Sequence, residues 1–563
     1  MSLDELIENN CLAPEIEQGN VEYKLKLTHS EKELAFKVEE LTSQMKWRLQ
    51  EGFLKSGKGC AYYFLGLNDN GTIGGMDIKI IRQSLSVLNR VVKHSNASVD
   101  STHISMFKDG VVAMIKISIA NNIEAVDEFR VIMLGDTDAG KSSIIGSLTY
   151  NIKDNGSGGS RQNIFKYQHE HDSGQTSSIK CEISGFTKNK DSFLNYTDYF
   201  EEPWENIFKK SHGIINFTDL PGDIKYLRTT LFGLMSYIPH ILVVVIDIND
   251  AIKYINTDEE LFQYFNTKIK KYLDMCYHMP VKSFIIFNKM DLVETGGYDH
   301  VVSKFSEYVH NIYSKQICIL DESYINDNIT NISTNNDVTK INIIPFSCVT
   351  HLNIDLVKQF LMNSTSFIHS VNTQTNNKSN DNHYLVNDWM YIPEIGPVIS
   401  GTMISGNISV NDELLIGPFG KNFHNVKVQS IHKKQVSSDI ISSGESGSMV
   451  VEILDGSDIL TSIDKHLSII TPNRLKYFTH KFELVSNDII CEKITTGSQF
   501  TIFTMNIIEA ALVQNIEKIN DNSWKIAFIF TKPDILRYIY DGATAIFRRD
   551  NDIYFGTCYK SHN

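Results

Sequence analysis

The stretch from Gly135 to Ser142 has the spacing G-x-x-x-x-G-K-S, which is suited to holding a chain of phosphates. It follows the apolar segment VIML and opens the helix-like segment SSIIGSLTY. In that setting, glycines let backbone N–H groups converge on phosphate oxygens at a helix N-terminus, while the lysine adds positive charge and the serine hydroxyl can bind Mg²⁺. The predicted phosphate-binding residues are Gly135, Asp136, Thr137, Asp138, Ala139, Gly140, Lys141, Ser142 and Ser143.

A second motif, D-x-x-G, ends the apolar stretch IINFT. Alone this pattern is weak, but after a phosphate loop and at a strand end it predicts the loop that faces the last phosphate. We expect the aspartate to reach a magnesium ion and the glycine N–H to contact the γ-phosphate. The loop consists of Asp219, Leu220, Pro221, Gly222 and Asp223.

Asp223 stands where a residue that orients the attacking water is expected. Two like charges 4 Å apart repel by about 4 kcal/mol at an effective dielectric constant of 20. We therefore expect this carboxylate to turn away from the phosphate, toward solvent or toward Lys225 or Arg228.

A third motif, N-K-M-D after the strand-like stretch FIIF, selects the base. The aspartate can accept hydrogen bonds from N1–H and the 2-amino group of guanine, whereas adenine would leave it unpaired at a cost of about 1–3 kcal/mol. A last loop after the stretch IIPF is expected near guanine O6. The predicted base-site residues are Asn288, Lys289, Met290, Asp291, Ser347, Cys348 and Val349.

The interval between residues 142 and 219 must contain the segment that closes over the metal. Its best-placed hydroxyl belongs to Thr176, in the stretch SGQTSS at 173–178. The predicted magnesium ligands are Ser142, Thr176 and Asp219. The predicted catalytic groups, which would bind and orient the terminal phosphate of GTP, are Lys141, Thr176 and Gly222.

Two further features have an ordinary structural explanation beside a functional one. His169 and His171 could chelate a metal, but two histidines on a polar loop are usually solvated. Lys46, Trp47 and Arg48 could face RNA, but the helical spacing of apolar residues around them favours a core helix with a solvated basic side. The apolar positions of that helix are Val38, Leu41, Met45 and Leu49.

The elements that must position these motifs alternate between short apolar strands and helical patterns from residue 126 to 370. Strands that are apolar on both faces indicate a mostly parallel sheet covered on both sides, as in an α/β P-loop domain. Residues 1–125 form a smaller N-terminal α+β module. A polar linker at 371–383 is followed by an antiparallel β-barrel at 384–474 and a second β-rich unit at 475–563.

Bulk composition excludes several classes of protein. A net charge of -14 argues against a chain that coats nucleic acid non-specifically. The acidic N-terminus lacks a secretory pattern, and the most apolar run, 241–248, is too short to span a bilayer. Eight scattered cysteines without a C-x-x-C pair indicate reduced thiols in the cytoplasm. We expect no membrane association and a monomer.

The motifs together resemble those of translational GTPases of the elongation factor Tu and elongation factor 1-alpha class, and more narrowly the GTP-binding protein 1 family. The resemblance rests on GDTDAGKSS, the long phrase DNGSGGSRQNIFKYQHEHDSGQTSS, DLPGDIKYLRTT and NKMD, with the leader LTSQMKWRLQEG and the barrel phrase IGPVISGTMISGNISVNDELLIGP.

The resemblance implies a GTPase domain followed by two β-barrels, with Mg²⁺, GTP hydrolysis, and RNA or ribosome partners such as tRNA or mRNA. It also implies a monovalent cation near Asp138. The chain departs from the family at Asp223, where a histidine is usual, and at the turn Asp455-Gly456, where relatives often carry a basic residue. Both departures point away from vigorous ribosome-stimulated turnover.

Three functions therefore compete. The first is a slow GTPase that controls binding of RNA or the ribosome. The second is a GTP-dependent interaction protein with little or no hydrolysis, which Asp223 favours. The third is a metabolic GTPase subunit of the sulfate-activating kind, against which the N-terminal leader argues.

Overall fold

The structure, a computed structural model, divides into two compact units, residues 1–125 and 126–563. No helix in the described part of the chain is long and apolar enough to cross a membrane. The described residues are 11–561 except 17–18, 28–30, 57–59, 96, 108–109, 120–125, 199–202, 294–296, 322–339, 376–380, 393–394, 456–466, 488–493, 521–522, 533, 535 and 551.

The first unit is a four-stranded sheet with two helices on one face. Its strands are β1 (Val21–Lys24), β2 (Cys60–Leu65), β3 (Ala97–Phe107) and β4 (Gly110–Ile119), in the order β1-β2-β4-β3. Its helices are α1 (Glu31–Ser56) and α2 (Ile78–His94). This is the predicted α+β module. The sequence prediction missed β3, because this edge strand carries mostly polar residues and has a weak apolar signal.

The prediction of a solvated basic side on α1 is wrong for Arg48. Its side chain is buried, and its Nε and Nη2 atoms each lie 2.5 Å from a carboxylate oxygen, of Glu22 and Glu15 respectively. Leu41 and Met45 are buried in the core as predicted. Arg48 is therefore a buried structural cation, because it is paired with two acidic residues from outside its helix.

The second unit begins with an eight-stranded sheet in the order β11-β12-β10-β9-β5-β8-β6-β7. The first six strands in this order run parallel, β6 pairs antiparallel with β8, and β7 pairs antiparallel with β6. The strands are β5 (Asp127–Gly135), β6 (Lys180–Phe186), β7 (Phe193–Leu194), β8 (Gly213–Asp219), β9 (Ile241–Asp247), β10 (Lys282–Asn288), β11 (Gln316–Ile319) and β12 (Lys340–Pro345).

Helices cover both faces of this sheet, which explains why its strands are apolar throughout. Successive residues of β9 enter opposite cores: Leu242 and Val244 pack in one, Val243 and Val245 in the other. The helices are α3 (Lys141–Tyr150), α4 (Gln168–Ser173), α5 (Pro203–Lys210), α6 (Leu227–Ser236), α7 (Ile248–Ile252), α8 (Asp258–Tyr264), α9 (Lys270–His278), α10 (Gly297–Tyr313) and α11 (Ile354–Thr375).

Helix α11 ends inside the segment predicted as a linker, 371–383. A helix satisfies its backbone hydrogen bonds internally, so a polar sequence without an apolar stripe does not end it. The next strand already begins at His383, and residues 376–380 of the predicted linker lie outside the described residues. The domain boundary at this point stays a prediction.

Two closed six-stranded antiparallel barrels follow, as the resemblance implies. The first barrel and its small edge strands are β13 (His383–Ile392), β14 (Gly396–Ser405), β15 (Asn407–Ser409), β16 (Glu413–Phe419), β17 (Asn422–Lys433), β18 (Val436–Ser438), β19 (Ile440–Ser442), β20 (Ser446–Ile453) and β21 (Ser468–Ile470). The second barrel is formed by β23 (Lys481–Ser486), β24 (Gln499–Thr504), β25 (Ile507–Asn520), β26 (Ser523–Phe530), β28 (Ala543–Arg549) and β29 (Asp552–Lys560). Two short strands of the same region, β22 (Phe478–Thr479) and β27 (Arg537–Tyr538), pair with each other in a separate two-stranded sheet.

Both barrels contact the α/β P-loop domain. The side chain of Glu128, near the start of β5, is only 6% exposed and accepts hydrogen bonds from Ser446 Oγ at 2.6 Å and Lys434 Nζ at 3.2 Å in the first barrel. His278 at the end of α9 stacks on Phe555 of the second barrel, with ring centroids 4.5 Å apart. The strand that leads into the predicted phosphate loop is therefore anchored on a barrel at its other end.

Candidate nucleotide-binding site

The predicted motifs meet at one edge of the sheet, because β5, β8, β10 and β12 are parallel and each motif follows a strand's carboxyl end. The loop between β5 and α3 makes a sharp reversal, with Gly140 at φ 96° as the N-cap of α3. A Cβ on Gly140 would lie 2.1 Å from Asn288 Nδ2. Only glycine is compatible with both the backbone conformation and that approach.

Lys141, the first residue of α3, is buried and points back over the loop. Its Nζ donates to the carbonyl oxygens of Gly135 and Asp136, both at 2.9 Å. Burial lowers the pKa of this ammonium, and the negative charge of Asp219 opposes that change. The Lys141 ammonium is therefore held where phosphate oxygens would compete with these two carbonyl oxygens for its hydrogen bonds.

The three predicted magnesium ligands converge. Ser142 Oγ lies 2.6 Å from Asp219 Oδ2 and 2.9 Å from Thr176 Oγ1, and Thr176 Oγ1 lies 3.1 Å from the same carboxylate oxygen. Asp219 Oδ1 is buried and has no hydrogen-bond partner among the described residues. Burial raises the pKa of Asp219, opposed by Lys141. Two hydroxyls and a buried carboxylate are a donor set that suits Mg²⁺.

Gly222 lies directly against the phosphate loop. A Cβ on it would lie 2.6 Å from Lys141 Nζ and 2.7 Å from Thr137 N. The preceding turn is held from behind, because Thr230 Oγ1 donates to the Pro221 carbonyl at 2.7 Å and Leu220 is buried. The Gly222 backbone is thus placed beside the predicted γ-phosphate position.

Asp223 lines the cleft beside Lys141 and Gly222. Its carboxylate is engaged by Lys225, one of the two basic neighbours expected for it. One carboxylate oxygen accepts from the Lys225 N–H at 2.9 Å, and the other lies 3.3 Å from Lys225 Nζ. The backbone hydrogen bond from Lys225 lowers the pKa of Asp223. The carboxylate stays charged and is engaged by its own turn.

The base motif is braced by its neighbours. Asn288 Nδ2 donates to the Ala139 carbonyl at 2.9 Å, which ties the base loop to the phosphate loop. Lys289, at φ 66°, pairs with Asp247 at 2.7 Å. Exposed Asp291 accepts a hydrogen bond from Ser347 Oγ at 2.5 Å, which orients its carboxylate.

The remaining predicted residues support this edge. The Met290 N–H donates to the Phe346 carbonyl at 3.2 Å, and the Val349 N–H donates to Ser347 Oγ at 3.2 Å. Buried Cys348 lies with its sulfur 3.9 Å from Asn288 Oδ1.

A buried ion pair that the sequence prediction missed anchors the Thr176 loop. Glu170 Oε2 lies 2.6 Å from Lys180 Nζ, and both side chains are fully buried. Its other oxygen accepts from Ser177 N–H at 2.8 Å and Ser177 Oγ at 2.9 Å. Burial raises the pKa of Glu170, but the Lys180 and Ser177 hydrogen bonds outweigh it and bring the pKa to about 2. His169 and His171, which flank it, bond Ser177 and Gln162.

Asp138, implied by resemblance to hold a monovalent cation, has a different neighbour in this chain. The Nη1 atom of Arg161 lies 3.8 Å from Asp138 Oδ1. Sequence reasoning did not single out Arg161, since it lies 23 positions and a helix after Asp138. The position next to Asp138 carries a protein cation.

Comparison with known proteins agrees with the geometry. Residues 127–386 match the family model of the elongation factor Tu GTP binding domain. Human GTP-binding protein 2 is 29% identical over 95% of this chain and 86% of its own length. GTP-binding protein 1 of Xenopus laevis is 27% identical over 80% of this chain and 64% of its own length.

Among solved structures, a bacterial selenocysteine-specific elongation factor superposes on 77% of this chain and 58% of its own, with a TM-score of 0.53 at 14% identity. This is a likeness of fold. The resemblance to the GTP-binding protein 1 family and the predicted fold class are thereby confirmed.

Proposed function

We propose that this protein, a translational GTPase-like GTP-binding protein whose residues 127–386 form a GTP-binding domain of the elongation factor Tu type, hydrolyses GTP to GDP and thereby controls its binding to RNA or the ribosome. The carrying observation is the convergence of Ser142, Thr176 and Asp219, with Thr176 on a loop separate from the other two. A loop whose hydroxyl binds the metal only when the terminal phosphate is present reports the nucleotide state.

In this proposal Ser142, Thr176 and Asp219 would hold Mg²⁺, which would supply positive charge to the outer phosphates. Lys141 and the Gly222 N–H would bind the terminal phosphate, and Asn288 and Asp291 would hold guanine. The other predicted residues of the phosphate and base loops line the same nucleotide. The engagement of Asp223 by Lys225 supports slow hydrolysis without an activator.

RNA and the ribosome enter as partners by analogy with the elongation factors that share the fold, and the same analogy supports tRNA or mRNA. A nucleotide switch acts only through unequal affinities in its two states. We therefore expect charged tRNA or ribosomes to bind more tightly with a non-hydrolysable GTP analogue than with GDP. We also propose a monomer in the cytoplasm, which light scattering and fractionation test.

The deciding experiment measures GTP turnover with and without purified ribosomes and charged tRNA. Stimulated turnover together with GTP-dependent binding supports the proposal. Equal affinity for charged tRNA in the two nucleotide states would exclude delivery. Thr176→Ala should lose the difference between the states while it keeps GDP affinity, because Thr176 joins the metal only in the triphosphate state.

A second candidate is a GTP-dependent interaction protein with little or no hydrolysis, which the engagement of Asp223 by Lys225 favours. It predicts tight GTP binding, negligible single-turnover hydrolysis, and a partner that binds in the GTP state alone. Measurable hydrolysis in the presence of ribosomes would exclude it.

A further inference from the structure

Arg161 ends a short 3-10 helix, Gly159–Arg161, in the loop after α3. Its guanidinium reaches back to the phosphate loop, 3.8 Å from Asp138. Together with Lys141, Thr176 and Gly222 it lines one small cleft. Lys141, Thr176 and Gly222 are the residues predicted to bind and orient the terminal phosphate. Arg161 therefore faces the negative charge of the same phosphate.

The loop that carries Arg161 is held in one conformation. Asp154 Oδ1 accepts from the N–H groups of Gly156 and Gly158 at 2.8 and 3.0 Å, and its Oδ2 accepts from Ser160 Oγ at 2.7 Å. Buried Ser160 also donates to the carbonyl of Ser143 in α3, at 3.1 Å. Arg161 is thereby fixed relative to the helix that begins at the phosphate loop.

Two glycines leave room for the guanidinium. A Cβ on Gly158 would lie 2.3 Å from Arg161 Nε, and one on Gly174 would lie 2.6 Å from Nη2. Gly174 precedes Thr176 by two residues, so the guanidinium lies beside the segment that carries this hydroxyl.

One donor of this guanidinium is unpaired within the described part of the chain. Arg161 Nε is buried without a hydrogen-bond partner among the described residues. The 3.8 Å separation from Asp138 is an ion pair but too long for a hydrogen bond. A phosphate oxygen is the acceptor that a planar fork of N–H groups beside Lys141 would take.

A monovalent cation on Asp138 would stand within a few ångströms of this guanidinium and be repelled by it. Either the monovalent cation or the Arg161 guanidinium can therefore occupy the position beside Asp138, but not both. In this chain Arg161 supplies the positive charge, and a charge on a side chain cannot dissociate from the protein.

We propose that Arg161 is a catalytic residue that takes the place of the monovalent cation and makes hydrolysis independent of potassium. This rests on the proposed function. The oxygen of a water molecule bonds to the γ-phosphorus while the bond from that phosphorus to the β–γ bridging oxygen breaks. GDP leaves with the bond's electron pair, and the water proton passes to solvent as inorganic phosphate forms. Arg161 stabilises the negative charge that develops on the bridging oxygen.

The test is single-turnover GTP hydrolysis by the full chain with Mg²⁺, in potassium or in tetramethylammonium, an ion too large for the site. We expect equal wild-type rates in the two salts. Arg161→Ala should lose at least about a hundredfold in tetramethylammonium, since arginines in this role contribute about 10³–10⁵ in rate. Potassium should restore part of the loss through the freed Asp138, and should not do so in Arg161→Ala/Asp138→Ala.

Arg161→Lys, which keeps the charge without the fork, should fall between these limits. Arg90→Ala is the matched control, because Arg90 is an exposed arginine in the other compact unit. Affinities for GTP and for GDP–aluminium fluoride, a transition-state mimic, are measured for each variant. Arg161→Ala should weaken the mimic selectively in tetramethylammonium, which a merely unfolded variant would not do.

Each outcome decides the matter. A wild-type rate that falls more than about tenfold without potassium, or an Arg161→Ala variant with the wild-type rate, overturns the arginine assignment alone. A wild-type chain that binds GTP but neither hydrolyses it nor retains GDP–aluminium fluoride overturns the hydrolytic function as well.

Discussion

The buried pair of Glu170 and Lys180 offers the sharpest quantitative test of how the Thr176 loop is held. Glu170→Ala would leave Lys180 as a buried cation without its partner, since both side chains are fully buried at a separation of 2.6 Å. Breaking one side of such a pair costs about 3–5 kcal/mol. Removal of both charges in Glu170→Ala/Lys180→Met should recover much of that loss, because no unpaired charge remains.

The matched control is Glu205→Ala, which breaks an ion pair with Lys209 on the partly exposed surface of α5. Pairs of this kind contribute about 0.3–0.5 kcal/mol, so this variant should resemble the wild type. The free energy of unfolding is measured by urea titration, and the loop itself by hydrogen exchange of residues 166–178. In Glu170→Ala we expect faster exchange of these residues, weaker Mg²⁺-dependent binding of GTP and unchanged binding of GDP.

The pair also predicts a pH dependence. The pKa of Glu170 is lowered from 4.5 to about 2 in the folded protein, so its stabilisation is complete above 4.5 and is lost as pH falls toward 2. The stability difference between wild type and Glu170→Gln should shrink over that window. If Glu170→Ala is as stable as the wild type and its loop is equally protected from exchange, the Glu170–Lys180 pair does not anchor the Thr176 loop.

Three other predictions concern the base, the water and the domain boundary. Asp291→Asn keeps the Oδ1 acceptor for Ser347 but places a donor opposite the 2-position, so nucleotide preference should move from GTP toward xanthosine triphosphate; unchanged GTP affinity would refute the base site. Asp223→Ala should change single-turnover hydrolysis little or raise it, and Asp223→His should raise it further; a loss above about tenfold with intact GTP affinity would make the carboxylate catalytic. Limited proteolysis should cut first within 371–383; first cleavage inside 384–474 would contradict the boundary.

The chemistry-bearing motifs could be predicted because each lies in one short window of sequence. Gly140 is required by its own positive φ, and the residues that follow β8 and β10 are placed by the strands just before them. Apolar strands with helices between them suffice to predict a parallel sheet, and parallel strands bring their carboxyl ends together. The convergence of Ser142 with Asp219 follows from that alone.

Other features depend on partners that local patterns cannot reveal. The basic side of α1 has a solvated pattern, yet Arg48 is buried because Glu15 and Glu22 come to it from outside the helix. The polar edge strand β3 and the continuation of α11 through Thr375 were missed for a related reason, since backbone hydrogen bonds form without an apolar signal.

The sequence by itself thus predicts the nucleotide, its base and its metal ligands, because those predictions depend on residue type and on spacing within single loops. Only the tertiary structure decided which charges surround them. Glu170 meets Lys180, Asp223 turns to Lys225, and Arg161 reaches Asp138. The energy of such a pair depends on separation and burial, and both are set by how distant segments pack.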